Sequence, residues 1–172
     1  MRVLVAYATK SGATAEIAQA IGEELARLGH RPEVRAADTV GDLRPYDAVI
    51  LGSAVYIGKW RKEAIRLGLR HAAELRGKPV WLFESGPTDA SADEGRAVPA
   101  KAAAELATRI GARAHVVFGG KFGPEQVGDF ARRMIAKSDK SPYGDFRNFD
   151  RIRAWARGIG TELRSAQPVA AA

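Results

Sequence analysis

Val3-Leu4-Val5-Ala6-Tyr7-Ala8-Thr9-Lys10-Ser11-Gly12-Ala13-Thr14 decides the fold. Its first five residues form an unbroken apolar run, the pattern of a strand buried on both faces. From Thr14 to Leu28 the apolar residues Ile17, Ala18, Ile21, Leu25 and Leu28 recur at spacings of three and four. That is an amphipathic helix, stopped by Gly29. Strand, hydroxyl-rich turn and helix thus follow one another within the first thirty residues.

The same alternation continues along the chain. Pro32–Ala36 reads as a weaker, outer strand, and Asp47–Ser53 as a second buried one. Lys62–Leu75 is predicted helical and ends near Gly77. Pro79–Ser85 is the next strand, Pro99–Ile110 a helix stopped at Gly111, and Ala114–Gly120 a fifth strand. Phe149–Arg164 closes the chain as a helix with Ile152, Trp155, Ala156, Ile159 and Leu163 on one face. Five strands with helices between them predict an α/β fold of three layers, a parallel sheet covered on both sides. Residues 1–165 are expected to form a single domain, with 166–172 a frayed tail.

One segment breaks the pattern. Residues 122–148 are long for a connection and mix aromatic with basic side chains, among them Phe122, Phe130, Arg132, Arg133, Lys137, Lys140, Tyr143 and Phe146. A short helix over Glu125–Lys137 is expected within this basic-aromatic insertion.

Composition narrows the function classes. The chain of 172 residues is long enough to bury about 70% of its unfolded surface in one core. It has no Cys, which excludes disulfides, thiolate metal sites and cysteine nucleophiles. No apolar run reaches the roughly 20 residues needed to span a bilayer. The N-terminal run is interrupted by Thr9-Lys10-Ser11-Gly12 without a cleavage site and reads as a strand rather than a signal peptide. A cytoplasmic location is expected. The net charge of +7 favours an anionic partner, although each basic residue taken singly also fits a solvated helix face.

The turn Thr9–Thr14 carries the chemistry. Three hydroxyls, a Gly and a row of backbone N–H groups converge at a helix N-terminus, which is the environment a phosphate requires. Gly12 lets the backbone approach closely or take positive φ, and Lys10 adds charge. Taken alone, such a turn also serves as a Ser/Thr-rich helix cap that binds nothing. Gly-x-x-x-x-Gly-Lys-Ser/Thr is absent, as is Gly-x-Gly-x-x-Gly after the first strand, which argues against nucleotide triphosphatases and dinucleotide folds. Ala8-Thr9 and Gly52-Ser53 stand where a phosphoacceptor receiver needs acidic residues.

With these residues in place, the sequence resembles the flavodoxin family. Thr9-Lys10-Ser11-Gly12-Ala13-Thr14 matches the family's Thr/Ser-x-Thr-Gly-x-Thr loop, with Ser11 at the third position, and the likeness extends through Tyr46–Ser53. The resemblance implies strand order 2-1-3-4-5 and FMN as cofactor. It also implies two further loops flanking the flavin ring. One contains Ser53, Ala54, Val55, Tyr56, Ile57 and Gly58, followed by Lys59 and Trp60. The other contains Ser85, Gly86, Pro87, Thr88 and Asp89. Tyr56 and Trp60 are candidates to pack near the ring. Loop 85–92 has no aromatic, which leaves one ring face open to a substrate.

Within the family the chain is similar to the menaquinone-dependent protoporphyrinogen oxidase (dehydrogenase) group. The residues that carry this are Ser11–Ala18, Ser53–Trp60 and Arg133-Met134-Ile135-Ala136-Lys137. The likeness implies an FMN-dependent oxidoreductase that takes electrons from a reduced small-molecule substrate and passes them to a quinone. Arg132, Arg133 and Lys137 would dock a carboxylated substrate or an anionic membrane surface, at the inner face of the membrane. No catalytic side chain is apparent, because the cofactor does the chemistry. An electron-transfer flavodoxin and a flavin-free interaction domain are the competing readings. His30, His71 and His115 have no metal spacing, His115 is expected to be structural, and no metal is expected. No recognised motif supports nucleic-acid binding, and none is expected.

Overall fold

The computed structural model describes residues 1–124 and 143–166. Its elements are β1 (Arg2–Ala8), α1 (Ala13–Arg27), β2 (Arg31–Ala36), a 3-10 turn (Ala37–Thr39), β3 (Ala48–Tyr56), β4 (Lys59–Trp60), α2 (Lys62–Arg70), α3 (Ala72–Arg76), β5 (Val80–Ser85), α4 (Lys101–Ile110), β6 (Ala114–Phe118), β7 (Lys121–Phe122), β8 (Gly144–Asp145) and α5 (Phe149–Ser165). Arg132, Arg133 and Lys137, with the expected helix Glu125–Lys137, lie outside the described residues.

The main sheet runs β2-β1-β3-β5-β6, every pair parallel. Counting only these five strands, the order is the expected 2-1-3-4-5. Two additions were not foreseen. β4 folds back antiparallel on the end of β3, and β7 pairs antiparallel with β8. The second pairing closes the base of the basic-aromatic insertion, joining Lys121 to Asp145 and Phe122 to Gly144.

Alternation along β1 explains its unbroken apolar run. Leu4 and Ala6 join a core with Leu51, Leu82, Leu67, Leu75, Leu106 and Ile110, on the side of α2, α3 and α4. Val3 and Val5 face the other way, into a core with Ile17, Ile21, Ile50, Phe83, Phe118, Ile152 and Ile159, on the side of α1 and α5. Both faces are dry, so a polar residue on either would be buried without water. Gly52 belongs to this packing, because a Cβ there would stand 2.0 Å from the Phe83 ring. Phe83 packs in turn against Phe118 and Trp155.

The predicted helix Lys62–Leu75 is two helices. His71 leaves helical geometry at φ −106° and ψ 19° and separates α2 from α3. The apolar spacing runs on across the break, so the periodicity carries no trace of it.

Register fixes where a ligand can sit. Ala8 lies opposite Ser53, Ala54 opposite Ser85, and Ser85 opposite Phe118. The carboxyl ends of four strands therefore form one edge. Chain direction reverses its progress across the sheet between β1 and β3, which makes that edge the switch point where open α/β sheets bind ligands.

Candidate functional site

At the end of β1 the chain turns through Thr9–Gly12 into α1. Gly12 is the helix N-cap at φ +88°, in the left-handed region that suits glycine. The Thr9 Oγ1 accepts the Gly12 N–H at 3.0 Å, so this hydroxyl shapes the turn. The Gly12 carbonyl accepts the Glu16 N–H at 3.2 Å and starts the helical ladder. No side chain caps the helix, and its first amides open onto a cleft.

That cleft gathers four segments. Thr9, Lys10, Ser11, Ala13 and Thr14 line it from the first turn, and Ala54, Val55, Tyr56 and Ile57 from the end of β3. Ser85, Gly86 and Thr88 come from the end of β5, and Gly120, Lys121 and Phe122 from beyond β6. The first three groups were named from sequence; the fourth was not. A signal existed, since Gly119-Gly120 ends a strand whose carboxyl end lies on the same edge.

Backbone approach makes the fourth group possible. The Gly120 N–H donates to the Pro87 carbonyl at 2.7 Å, and a Cβ on Gly120 would meet the Gly86 carbonyl oxygen at 3.0 Å. A Cβ on Gly86 would meet that of Val55 at 2.9 Å. These two glycines let three loops close into one wall.

Several expected residues take other places. Ser53 is fully buried below the cleft, where its hydroxyl accepts the Arg61 N–H at 2.9 Å and donates to the Ala54 carbonyl. Gly12 shapes the turn without lining the cleft. Gly58 forms, with Ile57 at φ +50°, the two-residue turn between β3 and β4. Gly58 and Pro87 line a neighbouring apolar cavity with Val98 and Val117. Asp89 points away: its carboxylate accepts the Ser91 N–H at 2.8 Å and it borders a separate depression with Asp93 and Asp145. Hydrogen bonding from Ser91 holds the Asp89 carboxyl below its usual range.

The aromatic arrangement also differs from expectation. Tyr56 lines the cleft and is 41% exposed. Trp60 is instead a core residue, 6% exposed, whose indole N–H donates to the Glu84 carboxylate at 2.7 Å. The two-residue turn sends the chain back under the sheet edge after Tyr56, and this carries Trp60 inward. Loop 85–92 indeed has no aromatic, but Phe122 supplies one to the cleft from β7, with its ring 5.6 Å from that of Tyr143. Phe122 is thus an aromatic of the cleft that comes from outside the three loops named from the sequence.

Charge in the cleft has one sign. Among the described residues lining it, Lys10 and Lys121 are charged and no carboxylate is present. The Lys10 ammonium lies over the Tyr56 ring, 3.7 Å from its centroid.

Arg147 ties the insertion to the first turn. Its guanidinium donates to both Asp145 carboxylate oxygens, at 2.8 and 2.6 Å, to Glu16 at 2.9 Å and to the Ala13 carbonyl at 3.2 Å. Its side chain is 3% exposed, although its acidic partners are largely in solvent. The Arg147 hydrogen bonds hold the Asp145 carboxyl below its usual value of 3.8. A carboxylate depressed by folding contributes stability that is complete above its unfolded value and is lost as pH falls through the folded one. The junction is thus intact above about pH 4 and weakens below it. Arg147→Met is expected to return the Asp145 carboxyl towards its usual value, as read by carbon NMR of that side chain. It should also cost about 1 kcal/mol of stability, since partner exposure screens the fork.

The histidines serve structure. His30 Nε2 is 2.8 Å from the Gly160 carbonyl in a buried contact between the α1–β2 connection and α5. His115 packs edge-on against Trp60. Among the described residues no His, Cys, Asp and Glu cluster is arranged to hold a metal ion, and no helix is long and apolar enough to cross a membrane.

Comparison with known proteins places this geometry. The family described as Flavodoxin domain matches residues 4–148. No curated protein sequence matches the chain. Among solved structures, rubredoxin oxygen:oxidoreductase from the anaerobe Desulfovibrio gigas superposes with a TM-score of 0.63 at 15% identity, over 95% of this chain and 36% of that one. The chain thus spans about a third of that protein's length. A point mutant of flavodoxin from Pseudomonas aeruginosa gives 0.62 at 13% identity, over 95% of this chain and 99% of that one. Flavodoxin 2 from Bacillus cereus gives 0.59 at 22% identity, over 95% and 99%. At these identities the structures share the fold.

Proposed function

The chain belongs to the flavodoxin-domain family, whose cofactor is FMN, and from that premise we propose that it is an FMN-dependent oxidoreductase acting on a reduced, anionic small molecule with a quinone as acceptor. One observation carries the reading: loops from three strand ends converge with the open first turn of α1 on a single cleft.

The residues present fit the cofactor. Amides of the first turn of α1, with the Ser11 and Thr14 hydroxyls, would hold the phosphate, aided by the helix dipole. Tyr56 and Phe122 offer aromatic surface to the ring. Main-chain groups of Ser85, Gly86 and Thr88 would meet its polar edge. Bound FMN supplies reversible electron acceptance. The protein orients donor and acceptor and excludes water.

The finer assignment follows the sequence resemblance: protoporphyrinogen as substrate and quinone as acceptor. It is supported by the two cleft lysines, the absence of a carboxylate among the described lining residues, and the net charge of +7. Arg132, Arg133 and Lys137 would dock the substrate carboxylates or an anionic inner-membrane surface.

An absorption spectrum of the purified protein tests the first part, with acid release to identify the cofactor. A flavin band with released FMN supports it, and a colourless protein that takes up no FMN at micromolar concentration removes it. FMN-loaded protein incubated anaerobically with protoporphyrinogen and a set of quinones tests the second. Porphyrin fluorescence is expected to rise; no turnover with any quinone would leave electron transfer between proteins as the remaining role.

A further inference from the structure

Lys10 belongs to the turn proposed to hold the phosphate, yet its ammonium reaches across the cleft mouth to the end of β3. There it stands 3.7 Å from the centroid of the Tyr56 ring. Both side chains line the cleft, and both are exposed enough to meet a ligand. A cation above a tyrosine face is attracted by the ring's quadrupole, which biases a flexible side chain towards one position. The charge is thus held on the aromatic side of the site, with no carboxylate among the described lining residues to neutralise it.

We infer that Lys10, held on Tyr56, is a positioning residue that sets the flavin's reduction potential by favouring the reduced ring. This rests on FMN occupying the cleft as proposed above. When the ring takes up two electrons and one proton it gains one negative charge. In the test the electrons come from dithionite and the proton from water. A fixed positive charge nearby stabilises that product more than the neutral oxidised ring, so it raises the potential. By linkage, the shift in potential is proportional to the logarithm of the change in the ratio of affinities for reduced and oxidised FMN. A lysine that served only the phosphate would strengthen both states alike and leave the ratio unchanged.

The test uses the FMN-loaded full chain and its Lys10→Arg, Lys10→Met and Lys10→Glu variants. The potential is measured by anaerobic dithionite titration against indicator dyes, and Kd for oxidised FMN by fluorescence. Lys10→Met is expected to change the reduced-to-oxidised affinity ratio by about tenfold, a fall of about 30 mV for a two-electron couple. Lys10→Glu should fall further, and Lys10→Arg should stay near the parent. An unchanged potential in the Met variant, with or without weaker binding of oxidised FMN, overturns the inference and assigns Lys10 to the phosphate alone. A parent chain that binds no FMN overturns the proposed function as well, so the two failures are distinguishable.

Discussion

Ser11→Asp is expected to weaken FMN binding by about two to three decades and to leave riboflavin binding within about threefold of the parent. Ser11 is exposed and lines the cleft beside the open first turn of α1. With the phosphate held at this turn as proposed, a carboxylate at position 11 would repel it, and two like charges about 4 Å apart repel by about 4 kcal/mol near a protein surface. Riboflavin has the same ring and no phosphate, so it escapes this penalty. Isothermal titration of both ligands to both proteins checks the difference. A parallel loss of FMN and riboflavin would mean that the phosphate sits elsewhere, and the cradle at the end of β1 would lose its role. Ser11→Ala, which removes a donor without adding charge, should cost only about 1 kcal/mol.

The parts of the molecule readable in advance are those where one physical demand dominates. β1 is buried on both faces, so its residues had to be apolar, and Val3–Tyr7 declares it. The turn at Gly12 needs a left-handed residue between a strand and a helix, and glycine with flanking hydroxyls declares that. Other features depend on contacts between distant residues. Ile57 adopts φ +50°, a conformation its side chain disfavours, so nothing local announced the turn that buries Trp60. Phe122 reaches the cleft because β7 pairs with a strand more than twenty residues later, a pairing that no periodicity records. The Asp89 carboxylate resembles a cofactor ligand by position, but its shortest route to a donor is the Ser91 amide two residues on. The break at His71 leaves the apolar spacing of α2 and α3 intact and was therefore invisible.

Glu84→Ala is expected to destabilise the fold by about 3–5 kcal/mol, the cost of leaving two donors without their shared acceptor and of the cavity opened beside them. Glu84 follows the four apolar residues that open strand β5 and is 1% exposed. Its carboxylate accepts the Trp60 indole N–H at 2.7 Å and the Ala100 N–H at 3.0 Å, and His115 Nε2 stands 3.2 Å from it. Three separate segments therefore meet on one side chain: the strand after the Ile57-Gly58 turn, the entry to α4, and β6. Truncation removes the acceptor of the buried Trp60 indole N–H and of the half-buried Ala100 N–H, and enlarges the cavity that Gly58 and Val98 line beside them. Glu84→Gln keeps the shape but not the chemistry, because an amide that accepts from Trp60 turns its own N–H groups towards the Ala100 N–H. It too should destabilise, by about 1–3 kcal/mol. Urea unfolding followed by tryptophan fluorescence reads both values, and Trp60→Phe completes a double-mutant cycle. A coupling of at least about 1 kcal/mol between Glu84 and Trp60 is expected, since the partner loses its reason for being polar. A cycle that closes to zero, or a Glu84→Ala cost below about 1 kcal/mol, would show that the three segments are held by packing alone. The consequence reaches the site, because Ser85 and Gly86 follow Glu84 directly and line the cleft. Loosening their strand should weaken FMN binding in a protein whose Thr9–Thr14 turn is untouched, and riboflavin should weaken in parallel, the opposite of the selectivity expected for Ser11→Asp.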